Sequence, residues 1–127
     1  MSVPVRQTRQ RAAVRALFAG SDEFHTAQQV HGALLEQGDK VGLATVYRTL
    51  QSMAEANELD AVRSPEGEMT YRACSSGHHH HLICRNCGKA VEIEAAVVEA
   101  WAETVARQHG FRDAGHELEM FGLCQDC

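Results

Sequence analysis

The sequence predicts an α+β chain in two parts, a winged helix-turn-helix followed by a small α/β unit built to hold metal. Three observations predict it. Three short helical periods precede two strand-like runs that flank Pro65-Glu66-Gly67. Four histidines, His78 to His81, then lead into Cys84-x-x-Cys87. A second pair, Cys124-x-x-Cys127, closes the chain. The 127 residues, 44% hydrophobic and 23% charged, are enough for one domain or two very small ones.

The elements follow in order. Residues 5–18 carry Val14, Leu17 and Phe18 on one helical stripe and arginines on the others, and Gly20-Ser21-Asp22 ends the run. A second helix opens at Thr26, with Gln29 at the capping-box spacing. Val30, Leu34 and Leu35 make its expected buried stripe, and Gly38-Asp39 stops it. A third runs over residues 43–56 with Leu43, Val46, Leu50 and Met53 on one face. Thr45, Arg48 and Ser52 fall opposite, with Tyr47 at the edge, so Arg48 points outward. Residues 59–64 and 68–73 then form a hairpin. In a winged helix the third helix enters the major groove and the hairpin flanks the backbone.

Residues 75–77 form a short polar link between a domain over 1–74 and one over 78–127. Strands are expected over 78–83 and 89–94, the latter with Val91 and Ile93 inward and Glu92 and Glu94 outward. Val97, Trp101 and Val105 mark a helix over 95–109. A last strand is expected over 111–121, with Gly115 as a bulge.

The residue types point to zinc. Imidazole nitrogen and thiolate sulfur suit this borderline-soft ion, and a CxxC knuckle supplies two tetrahedral ligands from one turn. The two CxxC pairs, with 36 residues between them, are expected to meet through a β-α-β unit as one structural site. A redox CxxC is disfavoured, because Gly88 and another strand follow Cys87 rather than a helix. In a strand, His78 and His80 face one way and His79 and His81 the other, so one strand can feed two sites. Cys74, Asp60, Glu99 and His116 are available partners.

Composition excludes several classes. HExxH, GxSxG, P-loop and GxGxxG patterns are absent, so the chain is not expected to be an enzyme. It has no apolar run long enough for a membrane and no apolar leader, so a cytoplasmic location is expected. The net charge of −5 argues at first against nucleic acid, but the acid excess is uneven. Up to Cys74 there are 8 basic and 9 acidic side chains, and 4 and 8 after it. Arg6, Arg9, Arg11 and Arg15 open the chain without an acid among them. A zinc-storage protein whose first half binds a protein partner fits this basic start and the outward Arg48 less well than a DNA-binding protein does.

Residues 42–50 (GLATVYRTL) and 78–87 (HHHHLICRNC), with 6–11 (RQTRQR) at the front, resemble the ferric uptake regulator (Fur) superfamily over essentially the whole chain. The resemblance implies a homodimeric, metal-dependent DNA-binding repressor with an N-terminal winged helix and a C-terminal α/β dimerisation domain. Cys74 and the intact second CxxC make the chain most like the zinc-responsive branch, whose targets are zinc uptake genes. A member sensing another metal or peroxide is the alternative. Carried over residue by residue, the resemblance implies up to three zinc ions per subunit. Cys84, Cys87, Cys124 and Cys127 would be structural. Asp60, Cys74, His79 and His81 would be sensory. His78, His80, Glu99 and His116 would form a further site, although the family's histidine block often begins one position earlier, where this chain has Gly77. Arg6, Thr45, Tyr47 and Arg48 would face a near-palindromic double-stranded operator.

Overall fold

A computed structural model of the chain describes residues 5–73 and 79–127, with side chains in the first helix from residue 9 onward. Cys74, His78, the 75–77 link and the side chain of Arg6 lie outside the described residues.

The first half is helical with a small sheet. Helix α1 spans Val5–Ala19 and buries Val14 and Phe18. Strand β1 is a two-residue piece, His25–Thr26, that the sequence reading did not expect. Helix α2 spans Ala27–Glu36. Thr26 Oγ1 accepts the Gln29 N–H at 3.1 Å and Gln29 Oε1 accepts the Thr26 N–H at 2.9 Å, a complete capping box. Gly38, at φ +88°, takes the left-handed position that ends the helix, and Asp39 N–H returns to Leu34 O at 2.9 Å. Ala27, Val30 and Leu34 are buried. Leu35 is exposed, a correction to the expected stripe: 100° per residue carries it past the edge of the packed face.

Helix α3, Leu43–Glu55, buries Val46, Leu50 and Met53. Asn57 at φ 60° ends it. Strands β2 (Asp60–Arg63) and β3 (Met69–Arg72) form the wing, and β1 pairs with the other edge of β3, giving the antiparallel order β1-β3-β2. The core of this half joins all three helices to Leu59 and Tyr71.

The second half contains β4 (His80–Cys84), β5 (Ala90–Ile93), α4 (Ala96–Gln108) and β6 (Glu119–Gly122). The sheet order is β5-β4-β6; β4 is antiparallel to β5 and parallel to β6. The expected strand over 111–121 is thus only four residues long, and Gly115 lies outside it. Its first part serves as the return from α4.

The two faces of this sheet are used differently. Ile83, paired with Ala90 and Phe121, meets Phe24 and Val62 of the first half in a second apolar cluster. The other face carries Leu82, paired with Val91 and Met120, and all three are exposed. The inward placing of Val91 is therefore corrected: its face meets no cover among the described residues, whereas Glu92 turns toward the first half. Helix α4 forms as its apolar spacing predicts but buries no residue, leaving Val97 83% and Trp101 66% exposed.

The halves also join through backbone. Phe24 N–H donates to Gly88 O at 2.7 Å, Ala90 N–H donates to Asp22 O at 3.1 Å, and Glu23 bridges Lys89. Gly88 is required here on two grounds. Its φ is +84°, and a Cβ would lie 2.5 Å from Phe24 O.

Candidate metal centres and nucleic-acid interface

The cysteine cluster is assembled by the register of β4 and β6. Cys84 ends β4 opposite Gly122, and Cys124 follows two residues later. Cys84, Cys87, Cys124 and Cys127 bring their sulfurs within 4.8 Å of one another, and none is in a disulfide. Cys87 Sγ and Cys124 Sγ are 3.8 Å apart. Four ligands placed tetrahedrally at about 2.3 Å have sulfurs separated by about 3.8 Å, so this donor set fits zinc.

The backbone prepares the sulfurs unequally. The N–H groups of Cys87 and Cys124 point at Cys84 Sγ and pull that thiol down to about 6. For Cys87 the Lys89 N–H acts in the same sense, but its hydrogen bond to Cys84, burial and the sulfurs of Cys124 and Cys127 outweigh it and push it up to about 12. Cys84 is thus the sulfur the backbone most favours as a thiolate, and a metal held here would be bound by thiolates, so its binding would release protons.

Strand β4 separates two further clusters. His79 and His81 turn toward the wing, where Asp60 of β2 lies. His81 Nε2 is 3.2 Å from Asp60 Oδ2, and His79 Nε2 also bonds that oxygen. The three donor atoms lie within 4.8 Å, at a cleft of about 590 Å³ between the halves. On the opposite side, His80 Nε2 and His116 Nε2 both reach Glu99 Oε1, at 2.6 and 3.0 Å. Two imidazoles converging on one carboxylate in each cluster form donor sets that fit a divalent ion of zinc's type. Of the ligands expected from the sequence, Cys74 and His78 alone fall outside the described residues.

Three residues of this region were missed by sequence reasoning. Glu119 bonds His81 through both its ring and its backbone nitrogen. Glu92 lies 3.7 Å from His79 Nε2 and 3.9 Å from Arg72 Nη1. The Phe24 ring meets His81 edge-on at 5.1 Å. No local spacing points to any of them, because each arrives from a different strand or loop.

The recognition surface is simpler. Tyr47 and Arg48 are exposed on α3, and Thr45 Oγ1 accepts from Arg48 Nη2 at 3.2 Å, one turn away. Arg9 and Lys40 are exposed as well. Arg11 and Arg15 are instead committed to Glu58, at 3.0 and 2.7 Å, so they fasten α1 to the end of α3.

A winged helix joined to a sheet unit with cysteine and histidine clusters defines a metal-linked DNA-binding class of protein. The chain belongs to the ferric uptake regulator family, whose model matches residues 2–121. It is 51% identical over 123 residues to the zinc uptake regulation protein of Mycobacterium tuberculosis, covering 97% of this chain and 95% of that protein. It is 33% identical over 125 residues to the ferric uptake regulation protein of Campylobacter jejuni, covering 97% and 80%. Among solved structures, a zinc uptake regulator of M. tuberculosis is 50% identical and superposes with a TM-score of 0.59 over 98% of this chain and 97% of that one. The iron-containing ferric uptake regulator of Francisella tularensis, 24% identical, shares the fold with a TM-score of 0.80 over 100% and 94%.

Proposed function

We propose that this chain is a zinc-responsive transcriptional repressor, not an enzyme, that binds operator DNA as a homodimer when zinc-loaded and controls zinc uptake. It acts in the cytoplasm, through a DNA-binding domain over residues 1–74, a hinge at 75–77 and a zinc-binding dimerisation domain over 78–127. Its family consists of metal-responsive DNA-binding regulators. Among the described residues, no helix is long and apolar enough to cross a membrane.

One observation carries the reading: Asp60, on the wing, meets His79 and His81 of the other half. In this reading Asp60 and Cys74, from the first half, hold with His79 and His81 the sensory ion. Bound zinc supplies a fixed, directional link among these donors. Asp60 then draws β2 toward β4, and the wing fixes where α3 stands relative to the dimer axis. The four cysteines hold the ends of β4 and β6 together. His78, His80, Glu99 and His116 make a third site against α4.

The exposed row Val91–Leu82–Met120, with Val97 and Trp101 on α4, supports a second copy as the missing cover. Twofold pairing of that face presents two α3 helices to half-sites about one turn, roughly 34 Å, apart, which calls for a near-palindromic operator. Thr45, Tyr47 and Arg48 face the groove, and Arg6 reaches the backbone or minor groove. By linkage, zinc and DNA tighten each other's binding by the same factor.

A gel-shift titration with zinc tests the proposal. Asp60→Ala and Cys74→Ser should each keep the four-cysteine zinc but lose zinc-dependent operator binding. Undiminished binding in both overturns the sensory assignment. Arg48→Ala should weaken operator binding by about 1–3 kcal/mol if it contacts a base. A parallel titration with ferrous and manganous ions decides against the zinc reading if either drives binding at lower free concentration than zinc.

A further inference from the structure

The row of the second sheet that crosses His81 runs Glu92–His81–Glu119. Glu119 Oε2 lies 2.9 Å from His81 Nδ1 and 3.0 Å from the His81 backbone nitrogen. An ionised carboxylate only accepts, so Nδ1 carries the ring proton. With that proton held at Nδ1, Nε2 is the nitrogen turned to the wing side, 3.2 Å from Asp60 Oδ2, where an ion would replace any proton it shares with that carboxylate. The ring is 3% exposed and is met edge-on by Phe24 at 5.1 Å and by His79 at 4.7 Å. Turning it over means giving up Glu119 inside a packed wall.

We infer that Glu119 is a positioning residue of the sensory site, fixing the tautomer and orientation in which His81 offers Nε2 to an ion. The inference rests on the reading of Asp60, His79 and His81 as that site. The physical reason is general: a carboxylate behind a ligating imidazole fixes which nitrogen is free and makes it a stronger donor. Here the carboxylate is delivered by strand register. Strand β6 is parallel to β4 and places Glu119 directly beside His81. Three residues further along the same pair, Cys84 lies opposite Gly122, Arg85 N–H donates to Gly122 O at 2.8 Å, and the cysteine cluster begins. The four cysteines therefore fix the register that puts Glu119 behind His81, so the structural cluster sets the donor geometry of the sensory one.

Glu119 also accepts a backbone N–H, so a purely architectural role must be separated from positioning. Glu119→Gln keeps an acceptor of the same length and removes the charge; Glu119→Ala removes both. The full chain, carrying its cysteine-bound zinc, is titrated with zinc against a chromophoric chelator, and the imidazole nitrogens of His81 are followed by 15N NMR before zinc is added. Glu119→Ala should weaken sensory zinc by roughly 10–100-fold and move His81 toward the Nε2–H tautomer. Glu119→Gln should keep the Nδ1–H tautomer and weaken zinc by a smaller factor. Affinity within about two-fold of the parent in both variants, or an unchanged tautomer in Glu119→Ala, overturns the inference. Should Glu119→Ala fail to fold, the Gln variant decides by the same affinity criterion. Asp60→Ala is the control. If it too leaves zinc affinity unchanged, the sensory reading itself falls; if it alone abolishes binding, only the role of Glu119 falls.

Discussion

From α1 to β3, ten side chains close one apolar core drawn from three helices and the wing. From β4 onward the chain has no comparable core. Its helix buries nothing, and its buried cluster consists of Ile83 and Ala90 packed on Phe24 and Val62 of the first half. The first half is thus held by hydrophobic burial inside itself, at about 25 cal/mol per Å². The second half packs on the first, and in the proposed reading it draws further order from metal held by its cysteines and from a second copy on its open face. A small unit with little core commonly depends on metal and on association. In the proposed reading, this difference separates what must stay constant, the shape of the half that reads DNA, from what must respond to an ion.

The comparison is broken most severely at the cysteines. Cys124→Ser should abolish folding of the second half while α1 to β3 remain folded, as read by hydrogen exchange of the two halves and by zinc content. Simultaneous loss of both halves would show that the first core is not self-sufficient. Next comes the open face. Trp101→Ala should weaken dimerisation by about 2–4 kcal/mol, seen as a higher dimer dissociation constant in sedimentation, without changing the first half. A monomeric parent chain would remove the assigned role of α4.

The join between the halves is sharpened by Gly88→Ala. A left-handed φ costs a side chain about 1–2 kcal/mol, and the added methyl collides with Phe24 O besides. The Phe24 and Ala90 amides should exchange faster, with the first core unaffected. The smallest effect belongs to the first half alone. Hydrogen bonding from Arg15, together with Arg11, holds Glu58 below its ordinary 4.5. A depressed carboxylate contributes stability above its unfolded pKa and loses it as pH falls through the lower folded value. Arg15→Ala should therefore cost less than about 1 kcal/mol at neutral pH, with the gap to the parent closing as acid protonates Glu58 below pH 4.5. Urea melts at several pH values measure it; a gap that widens in acid would contradict the assigned pair.

Much of this was legible in the chain. The capping box at Thr26 and Gln29, the apolar face of α3 and the turn at Gly67 are local patterns, and the structure reproduces each. The strand period also separated the directions of His79 and His81 from that of His80. The misreadings have separate causes. Val91 has the spacing of a buried residue, yet nothing among the described residues covers its face and it is exposed. Residues 111–118 read as strand, yet the crossover from α4 uses them as a return, and pairing begins at Glu119.

What the sequence determined by itself was the set of donors and the elements that carry them. Helical and strand periods, caps and CxxC knuckles act over a few residues, and those few residues suffice to read them. The family resemblance named Asp60 and Glu99 as partners of those donors; only the tertiary structure showed Glu119 and Glu92 beside them and brought the named acids within reach. Asp60 reaches His79 and His81 from the wing, and Glu119 reaches His81 across a parallel pairing made after a helical crossover. Such contacts depend on long-range register, which cooperative packing of the whole chain selects and no short window of residues contains.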